Sequence, residues 1–338
     1  MKRELEFITV CPIDTYFTWQ VHQWLESLKE LGLSSKATVL LFEPIGRTNP
    51  KWKQVIDLYP EAKFHIYKDD GTIAPLLGKY IPILRPYTMA KYCKEFPEVS
   101  KKALFYCDSD ILFLKNFSVE HLLDDDIIYG SDTNSYINAS YFDSKVRDVI
   151  PNKLEDYKKI DVLGGAAKIV GITRQICEEN NLNSIGTQYL LKNTNEEFWL
   201  NVMNKCIPLL EYLGGINKEY FESENKGLQK WTSDMWLVLW ELWRRGQETK
   251  VVNELSFSWA TDHLKKIEET TIFHNAGVSN TIMNNIPYFY KGKYHLGQDP
   301  FKDEQIDIVL NHPESQKLCT WWYAKKLKEL HEKYMLEY

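Results

Sequence analysis

Residues 102–113 read Lys-Ala-Leu-Phe-Tyr-Cys-Asp-Ser-Asp-Ile-Leu-Phe. An apolar run rich in aromatics leads into Asp108-Ser109-Asp110, and Ile111-Leu112-Phe113 continues it. Such a run reads as a buried strand, with the carboxylates standing where it meets solvent. In extended backbone, residues two apart point to one side. Asp108 and Asp110 could therefore share one cation while Ser109 faces away. Two hard carboxylates suit Mg²⁺ or Mn²⁺, which keep positions open for phosphate oxygens. The plainer reading is a solvated turn that closes a strand, and a triplet this short does not choose between them. The apolar flank favours the first: two like charges against a low-dielectric core repel each other unless a cation joins them.

A chain of 338 residues can bury one large core or two fused subdomains. Its hydrophobic content of 44% and charged content of 26% are ordinary globular values. The load of 11 Trp, 20 Tyr and 15 Phe is high, but aromatics both pack cores and line sugar or base pockets, so their number decides nothing. A net charge of −6 gives no global attraction for nucleic acid. The six cysteines, Cys11, Cys93, Cys107, Cys177, Cys206 and Cys319, form no Cys-x-x-Cys pair and read as reduced, buried thiols. The start of the chain lacks a signal-peptide layout, and no apolar run has the length of a membrane span. The expectation is a soluble, cytoplasmic protein with no membrane partner.

Strand and helix alternate ahead of the Asp pair. Residues 7–12 form a first strand ended by Pro12, and Asp14 is placed to cap the following helix. That helix shows Phe17, Val21, Trp24, Leu25, Leu28 and Leu31 at helical spacing and stops at Gly32. Residues 38–42 and 63–67 read as further strands, with a helix between them. The proline-punctuated stretch 80–86 precedes a helix over 87–96. This alternation argues for parallel βαβ units, whose ligand crevice lies at the carboxyl ends of the strands. The Asp pair falls there, and so does the loop after the first strand.

Beyond residue 130 the pattern loosens. Asp124-Asp125-Asp126 reads as a solvated turn, and 143–159 as a polar loop over the cleft. Gly164-Gly165 and Gly186-Thr187-Gln188 are places for close backbone approach or for turns. Residues 198–213 predict a helix ending at Gly214-Gly215, and a further helix opens at 231–234, where Thr232 or Ser233 caps and Asp234 suits the first turn. The tail, 314–338, reads as a C-terminal helix.

In this order the pieces resemble nucleotide-sugar-dependent glycosyltransferases of the GT-A fold: an α/β half ending in Asp-x-Asp, then a late Phe273-His274-Asn275-Ala276-Gly277 turn, then a Lys-bearing aromatic segment. More narrowly, several stretches resemble glycosyltransferases carried by tailed phages. These are Leu84-Arg85-Pro86, the run 185–192, Trp231-Thr232-Ser233-Asp234-Met235-Trp236, and Tyr290-Lys291-Gly292-Lys293-Tyr294. The resemblance implies a Rossmann-type N-terminal half with a mixed central sheet, acceptor-side helices and a C-terminal helix. The matching division is 1–130 for the donor half, 131–300 for the acceptor half and 301–338 for a helical extension.

It also implies roles. Asp108 and Asp110 match the metal and donor-diphosphate motif, and His274 matches the late third metal ligand; a buried core histidine is the plainer reading of that residue. Arg85, Lys291 and Lys293 match basic residues that contact the donor or neutralise the leaving diphosphate. Arg85 could equally be half of a surface ion pair. With Pro12, Asp14, Ser109 and Gln188 they make up the donor-binding set. Asp234 matches the late acid that acts as base or binds acceptor, although this chain has Ser233-Asp234 where two adjacent acids are usual.

The implied reaction is transfer of a hexose, from a UDP-sugar, to a hydroxyl with Mn²⁺ or Mg²⁺ as cofactor, and the late turn resembles retaining members more than inverting ones. The first acceptor suggested is a hydroxymethylated pyrimidine in DNA, for which Lys265-Lys266, Arg244-Arg245 and Lys325-Lys326 are the basic pairs at hand. A protein or glycan hydroxyl is the alternative. Two other classes stay open: a haloacid-dehalogenase-like phosphatase, whose Asp-x-Asp normally lies near the chain start and continues Gly-Thr, and a non-catalytic sugar-nucleotide-binding protein.

Overall fold

Among the described residues, ten strands make up the two larger sheets: β1 Leu5–Pro12, β2 Ala37–Glu43, β3 Lys63–Lys68, β4 Ala103–Cys107, β5 Ile111–Phe113, β6 Ile128–Asp132, β7 Ile185–Lys192, β8 Thr249–Val251, β9 Phe257–Trp259 and β10 Ile272–His274. The computed structural model describes residues 3–46, 48–149, 161–221, 223, 225 and 227–338. The fold is mixed α/β, and the chain divides into two compact units: residues 1–5, 69–106 and 121–252, and residues 6–68, 107–120 and 253–338.

In the second of these, β1, β2 and β3 run parallel in the order β3-β2-β1. Every residue of β1 and β2 is buried, which is why both read as unbroken apolar runs and not as alternation. At the edge, β3 leaves its residues partly or fully exposed. Of the residues its spacing singled out, the helix Thr15–Glu30 buries Val21, Trp24, Leu25 and Leu28; Phe17 and Leu31 are half-buried, and Trp19, outside that pattern, is fully buried. A second, three-stranded sheet runs β5-β10-β9, with β10 antiparallel to β5 and parallel to β9. Aromatic side chains fill the space around it: Phe7 meets Phe113 at 5.1 Å, and Tyr323 of the helix Cys319–Tyr334 stacks on Phe273 at 5.2 Å. Much of the aromatic content is therefore packing.

In the other unit, β4 and β6 flank β7, both antiparallel to it, and β8 adds to β6 in parallel. Here several sequence expectations are corrected. The helix Leu84–Glu95 begins before Pro86, which is its third residue; a proline there loses nothing, because the first N–H groups of a helix have no internal partner. The helix Glu196–Phe221 runs through Gly214-Gly215 and does not stop there. Tertiary contacts override glycine's poor propensity: Asn217 exchanges two 2.9 Å hydrogen bonds with the backbone of Leu228 and holds the last turns. Gly186-Thr187-Gln188 lies inside β7, with Thr187 at φ 59°, an uncommon conformation for a β-branched residue. Asp143 belongs to the helix Ala139–Val149, and the rest of the expected cleft loop, from residue 150, lies outside the described residues. Asp124-Asp125-Asp126 is more than a solvated turn, since Asp125 pairs at 2.6 Å with the fully buried ammonium of Lys192 and Asp126 pairs with Arg3. The tail helix is shorter than expected, Cys319–Tyr334.

The six cysteines are all buried, and none forms a disulfide. Among the described residues, no helix is long and apolar enough to cross a membrane.

His22, fully buried, meets the terminal Tyr338 hydroxyl through Nδ1 and lies 4.8 Å from the Tyr334 ring. Burial pulls its pKa down from 6.5 to about 3, so the folded protein keeps it neutral. A depressed histidine contributes stability that is complete above about pH 6.5 and is lost as pH falls towards 3, because the unfolded chain takes up the proton first. The thermal midpoint should fall between pH 7 and pH 5, above the range where carboxylates titrate. His22→Gln should flatten that slope, as a pH series of melting curves would show.

Candidate metal centre

The Asp-Ser-Asp triplet follows the end of one strand, as the sequence suggests, and leads straight into another. β4 ends at Cys107, β5 begins at Ile111, and the two pair in different sheets. The chain changes sheet across the three residues, and that turns Asp110 inward. Its residue exposure is 5%, contrary to the expectation that both acids meet solvent, whereas the Asp108 side chain keeps 30%.

The β5–β10 register brings in the third residue. His274 stands opposite Ile111, and the next backbone N–H, that of Asn275, donates to the Asp110 carbonyl at 2.9 Å. His274 Nε2 then lies 3.5 Å from Asp110 Oδ1 and 4.0 Å from Asp108 Oδ2. One ligand atom from each of the three falls within 4.8 Å of the others. Ligands around one small divalent ion stand about 3–4 Å apart, so two carboxylates and an imidazole at this spacing fit Mn²⁺ or Mg²⁺ after a small adjustment. On the other side, Trp259 lies flat against the His274 ring, with centroids 5.3 Å apart and planes at 22°.

Lys291 completes the cluster. Its ammonium contacts Asp110 Oδ2, leaving Oδ1 to His274. Burial by itself would raise the Asp110 pKa, but the charges of Lys291 and then His274 outweigh it and hold the carboxyl well below its usual range. The same pairing raises the Lys291 pKa against the opposing effect of burial. Tyr16, in the first turn of the helix Thr15–Glu30, also feels this pair: burial raises its hydroxyl pKa and Lys291 pulls against it.

The remaining candidates divide between the two units. Pro12 pairs with Phe42 at the end of β1, Asp14 occupies the N-cap position without a side-chain capping bond, and Ser109 is buried within the triplet. Lys293 is exposed and pairs with Asp303 at 2.8 Å, so it does not join Lys291 at Asp110. Arg85, Gln188 and Asp234 belong to the other unit. There Arg85 pairs with Asp234 Oδ2 at 2.5 Å, and the Tyr80 hydroxyl donates to Asp234 Oδ1 at 2.7 Å. Gln188 is fully buried in β7, its Oε1 accepting from Ser131 at 2.6 Å and Thr187 at 2.8 Å. Arg85 is thus held by a buried carboxylate and is no surface pair.

Three partners of the candidate residues escaped the sequence reading. Asn275 stood inside the quoted late turn with no role attached. Trp259 and Tyr80 carried no local signal, because only tertiary packing puts one against His274 and the other against Asp234.

No protein-family model matches the chain, and neither does any curated protein. Among solved structures it is similar to the galactosyltransferase LgtC in complex with donor and acceptor sugar analogs, at 12% identity and TM-score 0.46, over 97% of this chain and 95% of that one. It is also similar to the bifunctional glycosyltransferase WbbM, at 9% identity and TM-score 0.45, where 99% of this chain spans about half (52%) of that one. A third is mouse xyloside xylosyltransferase 1, at 11% identity and TM-score 0.37, over 81% and 98% of the two chains. None of these likenesses bears on the ion, the donor or the acceptor of this chain.

Mn²⁺ should raise the thermal midpoint of the metal-stripped protein, and Asp110→Asn should abolish that gain. Lys291→Met should act in two opposite ways: it lowers the metal-free midpoint by leaving a buried carboxylate short of positive charge, and it enlarges the gain on adding Mn²⁺ by removing a competitor. Melting curves with and without Mn²⁺ for the three proteins check both.

Proposed function

We propose that this protein transfers a hexose from a nucleotide sugar, a UDP-sugar in the simplest case, to a hydroxyl. The observation that carries this reading is the convergence of Asp108, Asp110 and His274, with Lys291 beside them, where β5 meets β10. Two carboxylates and an imidazole suit a divalent ion that shares a diphosphate, and the motif order resembles GT-A glycosyltransferases. Bound there, Mn²⁺ or Mg²⁺ would act as a Lewis acid on the leaving diphosphate. Asp108 and Asp110 would hold the ion, His274 would complete its protein ligands, and Ser109, Pro12 and Asp14 are proposed donor contacts on the strength of the resemblance.

Lys291 supplies a second positive charge for the diphosphate oxygens, and Lys293 would do so after leaving Asp303. The bond between the anomeric carbon and the diphosphate oxygen breaks, its electron pair staying with the diphosphate. The acceptor oxygen bonds to that carbon and gives up its proton. Asp234, proposed as base or acceptor ligand, has Arg85 and Tyr80 on its two oxygens, so taking a proton would cost it one of these partners. That supports the departing phosphate as proton acceptor and hence a retaining outcome. Arg85 and Gln188 are proposed donor contacts on the strength of the resemblance.

For the acceptor we propose a hydroxymethylated pyrimidine of DNA, with a protein or glycan hydroxyl as the second reading. The second gains from one observation: Arg244 and Arg245 are committed to buried Glu241, and Lys325 and Lys326 pair with Glu329 and Glu30. The phage-like motifs are what speak for DNA.

Labelled nucleotide sugars, offered with Mn²⁺ and no acceptor, should be hydrolysed slowly, which a pure binding protein would not do. Asp110→Ala should lower turnover by at least a hundredfold, an order expected when a metal's ligand is lost. Full, wild-type activity of Asp110→Ala in Mn²⁺ and in EDTA alike would end the metal-dependent reading. Offering the labelled donor with hydroxymethylated DNA and with cell extract shows which acceptor takes the label.

A further inference from the structure

The turn Lys291–Tyr294 is of the 3₁₀ type, in which side chains three residues apart lie one above the other. Lys291 and Tyr294 therefore share a face, and Lys293 stands off it. This spacing accounts for the different fates of the two lysines. Lys291 reaches Asp110 Oδ2, while Lys293 pairs with Asp303 Oδ2 at 2.8 Å.

Tyr294 is fully buried. Its ring stacks on Phe289 at 5.7 Å with planes at 22°, and meets Trp19 edge-on at 6.4 Å. Its hydroxyl lies 3.0 Å from Asp303 Oδ1 and 2.6 Å from Gln305 Oε1, and donates its one proton between them. Both acceptors are themselves fixed. Asp303 Oδ1 also accepts from the Gln305 backbone N–H at 2.7 Å, and Gln305 Nε2 donates to the Tyr288 carbonyl at 3.0 Å. These bonds clamp the segment on both sides of the turn, since Tyr288 precedes it and Asp303 and Gln305 follow it. One carboxylate thus serves the turn twice, with Oδ1 on Tyr294 and Oδ2 on Lys293. A lysine ammonium on its flexible stem loses much rotamer freedom when held at a single carboxylate, so a fixed backbone beneath Lys291 lowers what its contact with Asp110 must offset.

We infer that Asp303 and Tyr294 are positioning residues for Lys291: they latch the turn so that its ammonium is held on Asp110 Oδ2. The latch has two opposed consequences. Without an ion it keeps Lys291 where it competes for Asp110, and with a donor present the same placement offers that charge to the diphosphate. The first rests on the metal reading proposed above, and the second on the transfer reading as well.

The test is direct binding of Mn²⁺ to metal-stripped protein, followed through the electron paramagnetic resonance signal of the free ion. Tyr294→Phe removes one oxygen and keeps the ring between Trp19 and Phe289. With the turn loosened Lys291 competes less, so the Kd for Mn²⁺ should fall about threefold or more. Asp303→Ala should do the same, and it decides if Tyr294→Phe fails to fold, because the Asp303 side chain keeps 29% exposure. In a Lys291→Met background neither change should move the Kd further, since the competitor they act through is gone. Hydrolysis of nucleotide sugar at saturating Mn²⁺ should meanwhile slow about tenfold in Tyr294→Phe, and not slow further in that background. Tighter ion binding with slower turnover is a pairing that general damage to the fold does not produce. An unchanged or raised Kd in the folded variants, or equal effects with and without Lys291, overturns the positioning role alone. Absence of Mn²⁺ binding by wild type overturns the metal centre itself and this inference with it. A lowered Kd in a protein that hydrolyses no nucleotide sugar upholds the latch and overturns the transfer reading instead.

Discussion

A carboxylate removed from water must be compensated, and Asp110 is the point where this chain faces that demand. At 5% exposure it cannot rely on solvent, and removing the partner of such a buried charge typically costs about 3–5 kcal/mol. Lys291 and His274 meet the demand from opposite oxygens. Both come from far along the chain, and each is delivered by its own device: His274 by the antiparallel register of β10 on β5, Lys291 by the short turn Lys291–Tyr294. A slip of one residue in that register would send His274 to the opposite face of the sheet. Aromatic packing guards against the slip, through Trp259 on His274 and Tyr323 on Phe273.

The same rule orders the other unit, where every prominent buried charge has a partner. Asp234 takes Arg85 and Tyr80, Lys192 takes Asp125, and fully buried Glu241 takes Lys205, Arg244 and Arg245. Such pairs add little net stability over apolar residues of equal size, but breaking one is costly. They therefore behave as locators. That matters for Arg244 and Arg245, which as sequence suggested a basic face and in the fold are bound to a buried glutamate.

Much of the architecture was legible, for a simple reason. β1 and β2 are mostly apolar because they are buried throughout, and the helix Thr15–Glu30 places its large apolar residues at helical spacing although every residue from Thr18 to Leu28 is buried. Expectations failed where local rules met tertiary contacts. Pro86 looked like a barrier before a helix and sits inside its first turn; Gly214-Gly215 looked like a stop and is carried through by Asn217. The strand ending at the Asp-Ser-Asp triplet was legible, but periodicity cannot reveal that the apolar stretch after it joins a different sheet.

What the amino-acid order determined by itself is the kind of chemistry: two acids two residues apart inside an apolar run, a late histidine, and lysines after it. Side-chain type and short spacing are local properties, so they can be read without coordinates. Which of these groups meet was decided by tertiary structure alone. His274 and Lys291 join Asp110 while Lys293 turns to Asp303, and Trp259 packs on His274 with no motif to announce it. Convergence of residues more than 150 positions apart depends on strand register and on the burial of charge, and those are settled only when the whole chain packs.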